Sequence, residues 1–219
     1  MKSETPLSTR LAKSLLPPDY YEPVTMTWAS LPGAISAKQQ QEHWKLYLGY
    51  LEALKRIDGR VPRSEKPLKG IVDSEYRGLK EAESYVIGGS LLHGMYFEQF
   101  LLKSRRQGET RIEGQISKIW GSQGEWWKDF RACAMNARGW AVLAVCEIDP
   151  NDLRIFLLDS HNMGSMFGYS PLVVLDAYEH AYWLDFGVEK GDHFDNLIKY
   201  LDWTKIDERF MQLLTSWPP

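Results

Sequence analysis

At Gly139 the hydrophobic period of the chain changes, and that change excludes any single-class fold. Upstream, ISAKQQQEHWKLYLGYLEALKRID, from Ile35 to Asp58, is rich in helix formers, with Ser36 placed to cap it. His43, Tyr47, Leu51 and Leu54 recur at spacings of four, four and three, so they share one helical face. The stretch GRVPRSEKPLKGIVDSEYRG, charged and broken by Gly and Pro, reads as an exposed connection. A second helix follows from Tyr85 to Leu102, in which Leu92, Met95, Tyr96 and Gln99 form a buried stripe around His93. A third occupies GEWWKDFRACAMNA. Downstream of Gly139, GWAVLAVCEI and LRIFLLDS flank DPND as a β-hairpin, PLVVL supplies a third strand, and the tail from His193 to Trp217 is helical. Helices first and a small antiparallel sheet later make an α+β fold. The expected division is an N-terminal extension over residues 1–15, a helical hairpin domain over 16–106, and a C-terminal α/β domain over 107–219 with a three-stranded antiparallel sheet.

Composition narrows the function classes. The 219 residues carry a formal net charge of -3, which gives no general basis for nucleic-acid binding. No apolar run approaches the roughly 18 residues of a membrane span. Cys133 and Cys146 lie in unlike settings with no C-x-x-C pair, as expected of reduced core thiols in a cytoplasmic protein. The N-terminus lacks the apolar stretch of a secretory signal.

The polar residues placed in apolar surroundings carry the chemistry. His43 and His93 lie on the apolar faces of separate helices, and Asp176 and His180 lie within the aromatic run LDAYEHAYWLDF. Three imidazoles and a carboxylate converging in a dry core would be costly unless they held a cation. Nitrogen and oxygen donors without cysteine suit iron, manganese or zinc.

LDAYEHAYWLDF closely resembles the D-x-W-E-H-A-Y-Y signature of the iron/manganese superoxide dismutases. GGSLLHGMYFEQF resembles that family's G-G-x-x-x-H-x-x-x-W segment, ISAKQQQEHWKLYLGYL its first ligand helix, and LDWTKIDERF its terminal N-W-x-x-x-x-x-R-[FY] stretch. The resemblance runs from about Leu16 to the end. It implies one iron or manganese ion per chain held by His43, His93, Asp176 and His180, superoxide as substrate, and a homodimer with Glu179 reaching the partner's site. It also implies that Asp176 ends the third strand. Most members place a glutamine beside the metal-bound solvent; His161 stands in the matching place and resembles a branch in which histidine takes that role. A surface loop histidine is the alternative.

Other positions depart from the family pattern. Eight residues after the first ligand the family has a gateway tyrosine, where this chain has Leu51, with Tyr50 one place earlier. Tyr47 replaces a histidine four residues after the first ligand, and Phe97, Tyr178 and Trp183 replace other aromatics. His161, Tyr50 and Tyr47 are therefore the candidate catalytic residues. Lys190 stands where the family often has a channel-mouth arginine, and is equally plausible as a solvated lysine. The expected activity is dismutation of superoxide to dioxygen and hydrogen peroxide. The alternatives are a metal-holding structural or interaction module and another non-haem iron redox enzyme on the same scaffold.

Overall fold

The computed structural model describes residues 21–67, 70, 72–103, 108–162 and 166–215. The expected extension over residues 1–15 lies outside them, as does the tail beyond Thr215.

Two long helices form an antiparallel hairpin, α1 (Ala37–Arg60) and α2 (Glu75–Glu98). Ser36 caps α1 by accepting the Gln39 N–H at 3.1 Å, and Ser74 caps α2 by accepting that of Arg77. The Ser74 cap places the start of α2 ten residues before the expected Tyr85, inside the stretch read as a connection. The register of the hairpin runs from Arg60 paired with Glu75 at its tip, through Tyr50 against Gly89, to Tyr47 against Gly94.

The sequence reading missed one helix, α3 (Arg111–Trp120), although T-x-x-E at its start is a capping box made by Thr110 and Glu113. After α4 (Gln123–Asn136) come β1 (Trp140–Cys146), β2 (Leu153–Leu158) and β3 (Tyr169–Asp176), then α5 (Trp183–Phe186), α6 (Lys190–Leu197) and α7 (Trp203–Thr215). The sheet is antiparallel in the order β2-β1-β3, which satisfies the expected hairpin and third strand. The central strand β1 is buried at all seven positions, which is why WAVLAVC shows no polar alternation. Helix α4 packs on β1 and β2, and helices α2 and α7 pack on β3.

Polar side chains tie the helical hairpin to the sheet. The Gln99 amide, just past the end of α2, accepts the Val174 N–H at 3.0 Å and donates to the Val174 carbonyl, so it pairs with β3 as a neighbouring strand would. Arg209 of α7 is buried and donates at 3.2 Å to the carbonyls of both Leu172 and Met95. A buried cation so placed orients β3 against α2, and so the end of β3 against His93. Among the described residues no helix is long and apolar enough to cross a membrane.

Candidate metal centre

Asp176 is the last residue of β3, and its Oδ1 accepts the Tyr178 N–H at 2.9 Å. That bond leaves Oδ2 to face three imidazoles. The Nε2 atoms of His180, His43 and His93 lie 3.0, 3.1 and 3.5 Å from it. One donor atom from each of the four residues falls within 4.8 Å of all the others. The site thus joins α1, α2, the end of β3 and the turn Glu179–Ala181.

Outer contacts aim these donors. His93 Nδ1 lies 2.7 Å from the Gly89 carbonyl, an acceptor, so Nδ1 carries the ring proton and the Nε2 lone pair faces the cluster. Gln39 at the start of α1 donates to the His180 carbonyl at 2.6 Å and accepts the Leu184 N–H at 3.0 Å, locking the His180 turn to the helix that carries His43. Among the described residues, the Nε2 atoms of His43 and His93 are buried with no hydrogen-bond partner. Orphaned buried nitrogens beside a buried carboxylate are what a bound cation would satisfy.

The electrostatics agree with that fit. Burial lowers the His43 pKa against the opposing pull of Asp176, and burial reinforced by His43 holds His93 well below its ordinary value. Burial alone would raise Asp176, but His180 and His43 outweigh it and hold the carboxyl well below the usual range. Burial likewise works against protonated His180, yet the charge and hydrogen bond of Asp176 leave it above its ordinary value. Two neutral imidazoles and an ionised carboxylate are already in the forms that bind a metal, while Asp176 favours the protonated form of His180, with which a metal would compete.

His161 lies within this structure and not on its surface. It is buried, with Nδ1 2.9 Å from Trp140 Nε1 and Nε2 2.7 Å from the Tyr50 hydroxyl. An indole nitrogen only donates, so Nδ1 accepts; the neutral ring then carries its proton on Nε2 and donates it to the Tyr50 oxygen. Burial pushes the His161 pKa down to about 4, which keeps the ring neutral at physiological pH.

Leu51 is buried in the core, and Tyr50 takes the place beside His161 and His93. Seven residues at roughly 100° each return to within about 20° of the starting face, so on a regular helix it is Tyr50, not Leu51, that shares the azimuth of His43. Tyr47 is buried with its ring stacked 6.4 Å from that of His93, and its hydroxyl accepts the Val24 N–H at 3.3 Å. Lys190 is half-buried, lies over the Phe194 ring and donates to the Ala137 carbonyl at 2.8 Å.

Two features here were missed in the sequence. One is the glycine pair. A Cβ on Gly88 would sit 2.0 Å from the His161 carbonyl oxygen, and one on Gly89 would sit 2.8 Å from the Tyr50 ring, so the bare helix surface is what lets both side chains approach. The other is Tyr85, whose ring lies 4.6 Å from His161 and 6.1 Å from Tyr50. Its signal was present: eight residues before His93, it falls about 80° from it around α2.

Residues 108–209 match the family profile of iron/manganese superoxide dismutases, C-terminal domain. Over 207 residues, 93% of this chain and 94% of the relative, the chain is 28% identical to an iron superoxide dismutase of Aquifex pyrophilus. It is 28% identical over 185 residues to a manganese/iron superoxide dismutase of Aeropyrum pernix, covering 82% of each chain. It is 32% identical over 124 residues to a manganese superoxide dismutase of Halobacterium salinarum, covering 57% of this chain and 62% of the relative. The chain is thus similar to iron/manganese superoxide dismutases, with the family profile matching over residues 108–209. The family profile spans Asp176 and His180, while the alignment to the Aquifex enzyme covers nearly the whole chain and so both halves of the site.

Proposed function

We propose that the protein is a superoxide dismutase in which His43, His93, Asp176 and His180 hold a single iron or manganese ion. The observation that carries this reading is the convergence of three imidazole nitrogens and one carboxylate oxygen within 4.8 Å, with two of the nitrogens otherwise unpartnered. When bound, the ion supplies one-electron chemistry between its trivalent and divalent states. The chain supplies the rest: a buried, aromatic-lined setting, a converging donor set, and a neutral histidine, His161, whose single ring N–H holds the Tyr50 oxygen. An aligned tyrosine beside His161 supports catalysis over a purely structural role, because a gateway hydroxyl is present despite Leu51.

The reading extends to assembly. Glu179 is exposed on the turn that carries His180, and Trp183 and Leu184 beside it are 49% and 52% exposed. An exposed carboxylate followed within five residues by two exposed large apolar side chains, next to His180, supports a homodimer through this face. The helical hairpin and the α/β part form the two domains, and free thiols at Cys133 and Cys146 support a cytoplasmic setting.

The deciding experiment is the dismutation rate per bound ion on separately iron-loaded and manganese-loaded protein with metal content counted. A rate far above that of the free ion with at least one metal is expected. A fully occupied protein no faster than the free ion would overturn the assignment.

A further inference from the structure

Of the four donors, His180 has the least support from its own element. His43 and His93 sit within long helices and Asp176 ends a strand, whereas His180 belongs to the three-residue turn Glu179–Ala181. Its side chain is 29% exposed, against 2% or less for the other three. The chain then breaks: Tyr182, with a φ of -143°, separates the turn from α5. In an unbroken helix the Leu184 N–H would donate to the His180 carbonyl four residues back. Here the Gln39 side chain stands between them. Its Nε2 donates to the His180 carbonyl at 2.6 Å and its Oε1 accepts the Leu184 N–H at 3.0 Å. A carbonyl only accepts and a backbone N–H only donates, so these two partners fix the orientation of the amide. Gln39 is 1% exposed, which places that amide in the buried seam between helix and turn.

One face of α1 makes both contacts to His180. Gln39 and His43 are four residues apart and project from the same side of the helix. Gln39 holds the His180 backbone, while the His43 ring lies 5.0 Å from the His180 ring and both imidazoles turn Nε2 to Asp176 Oδ2. Ser36 completes the clasp: its hydroxyl accepts the Gln39 N–H at 3.1 Å, and its own N–H donates to Asp185 Oδ2 at 2.6 Å. The start of α1 is thereby bonded to His180, Leu184 and Asp185. We propose that Gln39 is a positioning residue for His180, its amide standing in for a helical hydrogen bond so that α1 sets the separation of the His43 and His180 donors. This deepens the metal reading above and rests on it for the identity of what the donors hold. Removing an outer partner of a metal ligand costs about 10–100-fold in affinity.

The test is Gln39→Met, which keeps the length of the side chain and removes both polar atoms. Cobalt(II) is the probe, since it takes nitrogen and oxygen donors and its visible absorption reports their arrangement. Its affinity, measured against a competing chelator, should fall about 10–100-fold in Gln39→Met, with shifted absorption bands. Gln40→Met is the control: Gln40 is also buried on α1, but its amide meets the Met26 sulfur, and its loss should leave affinity and bands as in the wild type. Wild-type affinity in Gln39→Met overturns the proposal, and so does an equal loss in Gln40→Met. Should Gln39→Met fail to fold, Asp185→Ala, at an exposed position, releases the Ser36 arm of the clasp; binding about threefold weaker is expected there, and unchanged binding overturns the proposal. A metal-free readout separates this claim from the ligand assignment: amide exchange at Leu184 should be about tenfold faster in Gln39→Met, the equivalent of one lost hydrogen bond. If the wild-type protein binds no cobalt, the metal reading falls, and Leu184 exchange alone decides whether Gln39 holds the turn, with an unchanged or slower rate overturning it.

Discussion

Replacing Gly88 by Ala should disable the site while leaving the metal ligands untouched. A methyl group there would sit 2.0 Å from the His161 carbonyl oxygen, 2.8 Å from its carbonyl carbon and 3.3 Å from its Cβ. Restoring ordinary contact, 3.4 Å or more, requires the loop to retreat by about 1.4 Å, because the obstacle is backbone on both sides and neither a rotamer change nor a flexible chain end can absorb it. A retreat of that size would stretch the 2.7 Å contact between His161 and Tyr50 to about 4 Å and strain the 2.9 Å contact with Trp140. Overpacking of this kind costs about 1–3 kcal/mol. In a protein of this size that lowers the melting temperature by about 2–4 °C for each kcal/mol. Turnover per bound metal should fall about 100-fold, the usual consequence of moving an active-site group by about 1 Å. The assay is turnover and thermal melting on metal-counted protein, with Gly49→Ala as control. Gly49 is an exposed position on α1 where an added Cβ meets nothing within 4 Å, and there Ala should be neutral or stabilising by up to about 1 kcal/mol. Wild-type turnover in Gly88→Ala would show that the contact between α2 and the His161 loop does not set the catalytic geometry.

Removing a ligand should act differently: His180→Ala should lower metal content and melting temperature together, and unchanged occupancy would defeat the ligand assignment. Metal affinity should decline as the pH drops through the raised pKa of His180, since the ion displaces the proton that Asp176 holds there; calorimetric titration showing pH-independent affinity would refute this. In the metal-free protein the raised His180 pKa stabilises below its ordinary 6.5 and is lost as pH rises, whereas the depressed Asp176 pKa stabilises above 3.8 and is lost as pH falls. The Asp176–His180 pair is therefore fully effective between about pH 4 and 6.5, but the lowered pKa values of His43, His93, His161 and His193 each cost stability as pH falls below 6.5, so chemical denaturation should place the apoprotein's maximum stability at or above about pH 6.5. Glu179→Ala should weaken self-association at least tenfold in sedimentation, and a dimer of unaltered affinity would exclude a bridging carboxylate.

Much of the fold was legible because the signals were local. Ser36 and the recurrence of His43, Tyr47, Leu51 and Leu54 specified α1 and its buried face; the change of period at Gly139 specified the sheet. Helix α3 went unread because RIEGQISKIW is short and lies in a charged stretch, although its capping box was visible. The start of α2 was placed late because Gly and Pro before it read as a connection, while the Ser74 cap that decides the boundary is a single side chain.

The sequence by itself pointed to the cluster of His43, His93, Asp176 and His180, because three imidazoles and a carboxylate buried among aromatics are costly unless they face a cation. It also determined which elements carry them. What only the tertiary structure decided is the arrangement around that set: Tyr50 serves beside His161 and Leu51 does not, Trp140 fixes the His161 tautomer, Gly88 and Gly89 make room for both, and Tyr85 reaches the pair from the opposite helix. The reason is physical. Ligand identity follows from the chemistry of each residue, but a hydrogen-bond network depends on distances between segments more than a hundred positions apart, such as the 2.7 Å between Tyr50 and His161, and those distances are set only when the hairpin closes onto the sheet.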